Sequence, residues 1–204
     1  MPPIVHGFDP PERFVAGTVG DPGSRTFFLQ ARAGARLVSV ALEKQQVAAL
    51  AERIDELLDE VMADASTQTV VPAVAPLDLV DDEPLDLPIE EEFRAGTMTL
   101  SWDPHDEKVV VEVFPVGEEL VGLGEAAEEG MEALAEAVAE AEAETEPSEV
   151  LLVRIEPGRA RAFVQRAAKV VEAGRPSCPF CGQPMDPEGH LCVRANGFRR
   201  RDPA

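Results

Sequence analysis

Three short apolar runs open the chain: residues 13–19 (Arg-Phe-Val-Ala-Gly-Thr-Val), 25–31 (Arg-Thr-Phe-Phe-Leu-Gln-Ala) and 35–42 (Ala-Arg-Leu-Val-Ser-Val-Ala-Leu). Each is dense in β-branched or aromatic residues, the pattern of a strand. Asp21-Pro22-Gly23 fills the first gap and Gly34 the second, residues that supply the fixed or positive φ a reversal needs. A three-stranded meander is the simplest connection. From Glu43 the period changes: Val47, Leu50, Ala51, Ile54, Leu57, Leu58 and Val61 recur at three- and four-residue steps, with Glu52, Arg53, Asp55, Glu56 and Asp59 between them. That spacing predicts an amphipathic helix of about five turns. Its apolar stripe should cover one face of the sheet, because three strands with both faces wet are unstable.

The same order then returns. Phe93-Arg94-Ala95-Gly96-Thr97-Met98 echoes Phe14-Val15-Ala16-Gly17-Thr18-Val19, and Trp102-Asp103-Pro104-His105 supplies a turn. Val109–Phe114 and Val150–Ile155 read as two more strands. Pro157 then opens a helix whose Phe163, Ala167, Val170 and Val171 share a face, and Gly174 and Pro176 close it. The predicted class is α+β: duplicated βββα units of antiparallel strands plus one helix each, followed by a small C-terminal zinc knuckle. The divisions are 1–63 for the first unit, 64–92 for an acidic proline-rich linker, 93–174 for the second unit with an acidic Ala/Glu-rich insertion at 117–149, and 175–204 for the tail. Two such units can pack about a pseudo-two-fold axis, by joining sheets or by burying helix faces; the sequence leaves both open.

Charge sharpens this division. The chain carries a formal −21, yet residues 64–92 hold nine carboxylates and 117–149 hold twelve, with no Lys or Arg in either stretch. The remaining 18 acids face 18 bases, so the imbalance describes two segments and not the whole surface. The first segment reads as an extended or disordered linker. In the second, Leu120, Leu123, Ala127, Met131, Leu134 and Val138 trace a thin helical stripe, expected to be a solvated helical insertion. No apolar stretch approaches the ~20 residues that span a bilayer, and Met1–His6 lacks the features of a signal peptide. The expectation is a cytoplasmic protein with no membrane partner.

One constellation carries chemistry. All three cysteines and one of three histidines lie in Cys178-Pro-Phe-Cys181-Gly-Gln-Pro-Met-Asp-Pro-Glu-Gly-His190-Leu-Cys192. Cys-x-x-Cys followed by Gly182 turns two thiolates toward one ion, and His190-x-Cys192 adds two donors. Soft sulfur and imidazole ligands at four positions select Zn²⁺, and a full protein shell leaves no place for water, which argues for a structural ion. Phe180, Met185 and Leu191 are its expected apolar packing. A redox Cys-x-x-Cys would need a thioredoxin-like setting, a disulfide would leave one cysteine over, and His190 disfavours an iron–sulfur cluster. Arg194, Arg199, Arg200 and Arg201 with Phe198 form a basic tail, a nucleic-acid surface in the minority reading.

Other candidates are weaker. Gly17, Gly20 and Gly23 lead into a strand and offer no phosphate cradle. His6 and His105 read as lone surface histidines, and Asp9 and Glu12 as one of many acid pairs. Arg154, Arg159, Arg161 and Arg166 read as a solvated face, with an anion site as the alternative. Trp102 is expected in the core or a hairpin.

Three stretches resemble an uncharacterised actinobacterial family, a domain of unknown function: Phe8-Asp-Pro-Pro-Glu-Arg-Phe, Leu42-Glu-Lys-Gln-Gln-Val-Ala-Ala-Leu-Ala-Glu-Arg, and Cys178-Pro-Phe-Cys-Gly-Gln-Pro-Met-Asp-Pro-Glu-Gly-His190. The resemblance implies a cytosolic location and the terminal Cys/His cluster, which this chain keeps at all four positions. With no convergent catalytic set in the sequence, the expected function is a non-enzymatic zinc-binding or adaptor protein with a protein partner. The alternative is an enzyme gripping an anionic small molecule with Arg154 and Arg161 between the repeats.

Overall fold

The structure, a computed structural model, describes residues 3–21, 23–64, 69–117 and 148–173, together with Cys178, Phe180, Cys181, Cys192 and Arg194. It begins with a strand the sequence pattern did not reveal, β1 (Ile4–Phe8). The expected meander follows as β2 (Arg13–Val19), β3 (Thr26–Ala33) and β4 (Arg36–Leu42), paired antiparallel with Val19 opposite Thr26 and Ala33 opposite Arg36. Gly34 takes φ +59° at the β3–β4 turn, a region glycine enters without Cβ strain.

Helix α1 (Lys44–Ala63) buries Val47, Leu50, Ala51, Ile54, Leu58 and Val61, the stripe its spacing predicts. Its N-terminus is closed reciprocally, with the Glu43 N–H donating to Gln46 Oε1 at 2.8 Å. The Gln46 amide also donates to the Ala95 and Gly96 carbonyls at 3.0 and 3.1 Å, which fixes the helix entry onto the next strand. That strand, β5 (Glu91–Asp103), runs parallel to β4 at its start and antiparallel to β6 (Lys108–Pro115) beyond a register shift after Ala95. Strand β7 (Glu149–Ile155) completes a second meander, and α2 (Pro157–Glu172) follows with proline in its first turn.

All seven strands join in the order β1-β7-β6-β5-β4-β3-β2, with β1 parallel to β7. The two terms of this order that lie farthest apart, β1 and β2, are separated by residues 9–12 alone. Five Cα steps reach at most about 18 Å, whereas six strand spacings in a flat sheet span about 29 Å. The sheet must therefore curl until its edges approach, and the Arg36 guanidinium of β4 meets both the Gly7 carbonyl and the Phe8 ring of β1. Both helices cover the core: Leu29, Val40, Ile54, Leu58, Val111, Leu151 and Ile155 share one buried cluster, and Phe14 of β2 stacks on Phe163 of α2 at 4.7 Å. The strands form one sheet, and α1 lies against α2.

Within 64–92, Asp64 ends α1 and Glu91 begins β5, and residues 69–90 form an extended strap with one 3-10 turn at Leu77–Leu79, docked on the body through Gln30 and Arg166. It explains why β2, β3 and β4 are buried on both faces instead of alternating. The helices cover one face. On the other, Leu85 sits so close that a Cβ on Gly17 would lie 2.6 Å from it. Gln30, 1% exposed, donates to the Asp86 carbonyl at 3.1 Å and accepts from the Asp86 N–H at 2.7 Å. The disordered alternative for these residues is thus replaced by an ordered one. Residues 118–147, which include the expected helical stripe from Leu120 to Val138, lie outside the described residues.

Candidate metal centre

The three cysteines come together just beyond the end of α2. Cys178 and Cys192 are each 5% exposed and Cys181 is half-buried, and the three sulfurs lie within 4.8 Å of one another. None is half of a disulfide. The Cys178 Sγ to Cys192 Sγ distance is 3.7 Å, close to the ~3.8 Å edge of a tetrahedron with ~2.3 Å metal–sulfur bonds. The set therefore fits a single thiolate-bound metal ion.

The electrostatics point the same way. Burial acts to raise the Cys178 pKa, but hydrogen bonds from the Cys181 and Phe180 backbone N–H groups, then the Cys181 and Cys192 side chains, outweigh it and hold the thiol below its ordinary 9.0. The same turn that aims two sulfurs at one point thus favours the thiolate a metal requires. His190, the fourth expected ligand, lies outside the described residues, as do Gly182, Met185 and Leu191. Phe180 does not pack under the cluster as expected. It is 61% exposed, and its carbonyl accepts from Arg194 Nη1 at 3.2 Å. Arg199, Arg200 and Arg201 of the basic tail lie outside the described residues.

A family model described as "Protein of unknown function (DUF3090)" matches residues 6–192, from the first strand through the last cysteine. The chain belongs to the DUF3090 family. No curated protein and no solved structure matches it significantly.

Elsewhere in this DUF3090 protein, the arginines expected on a solvated face are consumed by its own backbone and carboxylates. Arg161, 5% exposed, binds Asp55 and Asp59 of α1 and donates to the Pro72 carbonyl at 3.0 Å. Arg166, also buried, donates to the Ala16, Asp81 and Glu83 carbonyls at 2.6–2.7 Å. Burial lowers its pKa against the pull of Asp81. On the same strap, hydrogen bonding from Arg13 drives the Asp81 carboxyl below its usual range, and that partner is itself raised well above the ordinary value by Asp81. Arg154 is taken by Asp103 and Asp106 at 2.6 and 2.7 Å and by Asp9 at 3.0 Å.

These pairings weaken the anion-gripping enzyme alternative, because Arg154 and Arg161 already have carboxylate partners. The cleft beside Arg13, Arg159 and Arg166 is about 60 Å³, small against the ~300–1,000 Å³ of small-molecule sites. Asp9 and Glu12 do not pair in a cleft: Asp9 binds Lys108 and Arg154, and Glu12 faces Arg32 at 3.5 Å. Trp102 stands opposite Val109 in the β5–β6 hairpin and packs on the core. The backbone N–H groups of His105 and Asp106 donate to Asp103 Oδ1 in that hairpin's turn.

His6 is the clearest correction among the single residues. It is not isolated at the surface: Nε2 lies 3.1 Å from Glu149 Oε2 and 3.9 Å from Glu92 Oε1, with its ring tilted against Phe93. No local motif marked it, since its partners stand on β5 and β7.

Proposed function

We propose that this DUF3090 protein is a zinc-containing binding or adaptor protein, in which Cys178, Cys181, His190 and Cys192 hold one structural Zn²⁺. The observation that carries the reading is the convergence of three sulfurs within 4.8 Å, with a 3.7 Å Cys178–Cys192 edge. Imidazole and three thiolates form a soft set that suits Zn²⁺ over Mg²⁺ or Ca²⁺. Zn²⁺ there supplies folding free energy, about 10–16 kcal/mol in small zinc peptides, to a tail with few apolar residues. Four protein donors leave no open position for water, which favours a structural role over a catalytic one.

Elemental analysis of the purified full chain tests the site. One zinc should be retained through dialysis by the wild type and lost from both Cys178→Ser and His190→Ala. A wild type without stoichiometric zinc in this site, or a His190→Ala variant that keeps it undiminished, refutes the four-ligand assignment.

The adaptor part of the reading rests on the strap's outer side. Val74, Leu77 and Leu87 are 75%, 92% and 82% exposed along a segment flanked by Asp78, Asp82 and Glu83, a display suited to a protein partner with apolar slots and a basic rim. The cytoplasm is the compartment proposed, since it keeps such thiols reduced for metal binding. We also read the two halves as copies of one βββα unit. Their matching Phe-x-Ala-Gly-Thr strands support this, as does the parallel placement of β5 beside β4 and of β1 beside β7. Cross-linking of the purified protein to a partner should fail when Leu77→Asp and Leu87→Asp are combined. Undiminished cross-linking to the same partner would remove the strap from the interface.

A further inference from the structure

We propose a second divalent-cation site, distinct from the cysteine cluster, formed by His6 of β1, Glu92 of β5 and Glu149 of β7. These residues are remote in sequence and meet only because the sheet curls and places β1 beside β7. Their ligand atoms all lie within 4.8 Å of one another. Both carboxylates approach the same imidazole nitrogen, Nε2, at 3.1 Å for Glu149 and 3.9 Å for Glu92. A metal with ~2.1 Å bonds to nitrogen and oxygen sets neighbouring ligands about 3.0–3.4 Å apart, tetrahedral or octahedral. Glu149 already stands at that spacing from Nε2, and Glu92, at 3.9 Å, has to close in by roughly half to one ångström.

Charge supplies the reason for a cation. Among the described residues, neither Glu92 nor Glu149 has a Lys or Arg partner; each has His6 alone as its ion-pairing group. Two carboxylates therefore share one imidazole. Elsewhere the strap and hairpin carboxylates of Asp81, Asp86 and Asp103 each meet an arginine. The site is also neither sealed nor fully wet, with side-chain exposures of 15% for His6, 43% for Glu92 and 27% for Glu149. Partial desolvation strengthens attraction to a cation, while the open side admits water as the remaining ligands.

One imidazole and two carboxylates form a harder donor set than the cysteine cluster and suit Mn²⁺ or Zn²⁺. On binding, the ion takes the Nε2 lone pair while the neutral imidazole holds its one proton on Nδ1, any second proton leaving to solvent, and the contact with Glu149 becomes a shared coordination shell. It would also tie the five-residue edge strand β1, paired by backbone to β7 alone, to β5 through side chains.

The test uses the full-length, zinc-loaded protein and Mn²⁺ as the probe, since that ion prefers oxygen and nitrogen donors and leaves the thiolates to zinc. Free Mn²⁺ is followed by electron paramagnetic resonance during titration. The wild type should bind one equivalent, and Glu92→Gln and Glu149→Gln should each bind it at least about tenfold more weakly, as loss of a direct ligand demands. Circular dichroism of the zinc-loaded variants before Mn²⁺ is added shows that their fold is retained. Absence of Mn²⁺ binding by the wild type overturns the proposal, as does wild-type affinity in either glutamine variant. Neither result touches the cysteine site, whose zinc content is read separately.

Discussion

Replacing Arg166 by methionine asks whether the strap is a structural member of the fold or a passenger on it. Methionine keeps much of the apolar stem and removes the guanidinium. Lost with it are the Nε bond to the Ala16 carbonyl (2.7 Å), the Nη1 bonds to the Asp81 carbonyl (2.6 Å) and carboxylate (2.7 Å), and the Nη2 bond to the Glu83 carbonyl (2.7 Å). Arg166 is 8% exposed and its bond to the Ala16 carbonyl is buried, so water does not reach that acceptor without opening the contact, while the Asp81 and Glu83 acceptors are partly buried. Each buried acceptor left without a donor costs about 1–3 kcal/mol, and deleting one member of a buried ion pair costs about 3–5 kcal/mol. Two effects reduce the sum. Arg13 still serves the Asp81 carboxylate at 2.6 and 2.9 Å and the Glu83 carbonyl at 3.0 Å, and the burial penalty that lowers the Arg166 pKa is relieved. The expected net loss is about 3 kcal/mol, or roughly 6–12 °C in melting temperature for a chain of this size. Urea unfolding followed by circular dichroism measures the loss, and hydrogen exchange at the amides of 81–86 shows where it acts. A loss below about 1 kcal/mol with unchanged strap protection would refute the reasoning, because these bonds would then be marginal.

Further expectations follow from the same structure. Gly17→Ala places a Cβ 2.6 Å from Leu85 and should destabilise by about 1–3 kcal/mol; adding Leu85→Ala should recover part of that loss, and strict additivity in the double variant counts against the contact. Hydrogen bonding from Arg154, then from the Asp106 and His105 backbone, lowers the Asp103 pKa from 3.8 to about 2. A carboxylate depressed on folding stabilises above its unfolded pKa and loses that contribution as pH falls through the folded one. The stability gap between wild type and Asp103→Asn should therefore be full above pH ~4 and close toward pH ~2; a gap that widens on acidification contradicts the pairing. If the cysteine cluster holds the proposed zinc ion, Cys181→Ser should abolish zinc retention and make 175–204 sensitive to trypsin, while the sheet and two helices keep their melting transition; a body that melts with the tail would show the cysteine-bearing tail to be part of its core.

What the sequence made legible was local. Helix α1 follows from one stripe of apolar residues, and the cysteine cluster from three cysteines spaced within fifteen residues. Strands β2, β3, β4, β6 and β7 follow from short runs of β-branched residues. Strand β1 escaped because Ile4-Val5-His6-Gly7-Phe8 is brief, contains Gly and His, and forms only against β7, 143 residues away at the His6–Glu149 contact. The same distance hid the three-residue site around His6. No spacing rule links positions 6, 92 and 149, and their approach depends on the curl of the whole sheet.

The strap shows why counting charge misleads when partners are not placed. Nine acids without a base in 64–92 look like a solvated linker if the segment is weighed alone, and the rest of the chain looks neutral. In the fold, Arg13, Arg166 and Lys169 reach the strap from β2 and α2 and engage Asp81 and Asp82, so the acids complement bases drawn from that neutral remainder. The strap is ordered by those side chains and by Gln30, and β2 and β3 can be apolar on both faces because it covers the second one. Acid content in 64–92 and double-sided burial in β2 and β3 are therefore two sides of one arrangement. A charge reversal at Asp81 should loosen the far face of the sheet, while the same change at exposed Asp78, which has no ion pair among the described residues, should leave it in place.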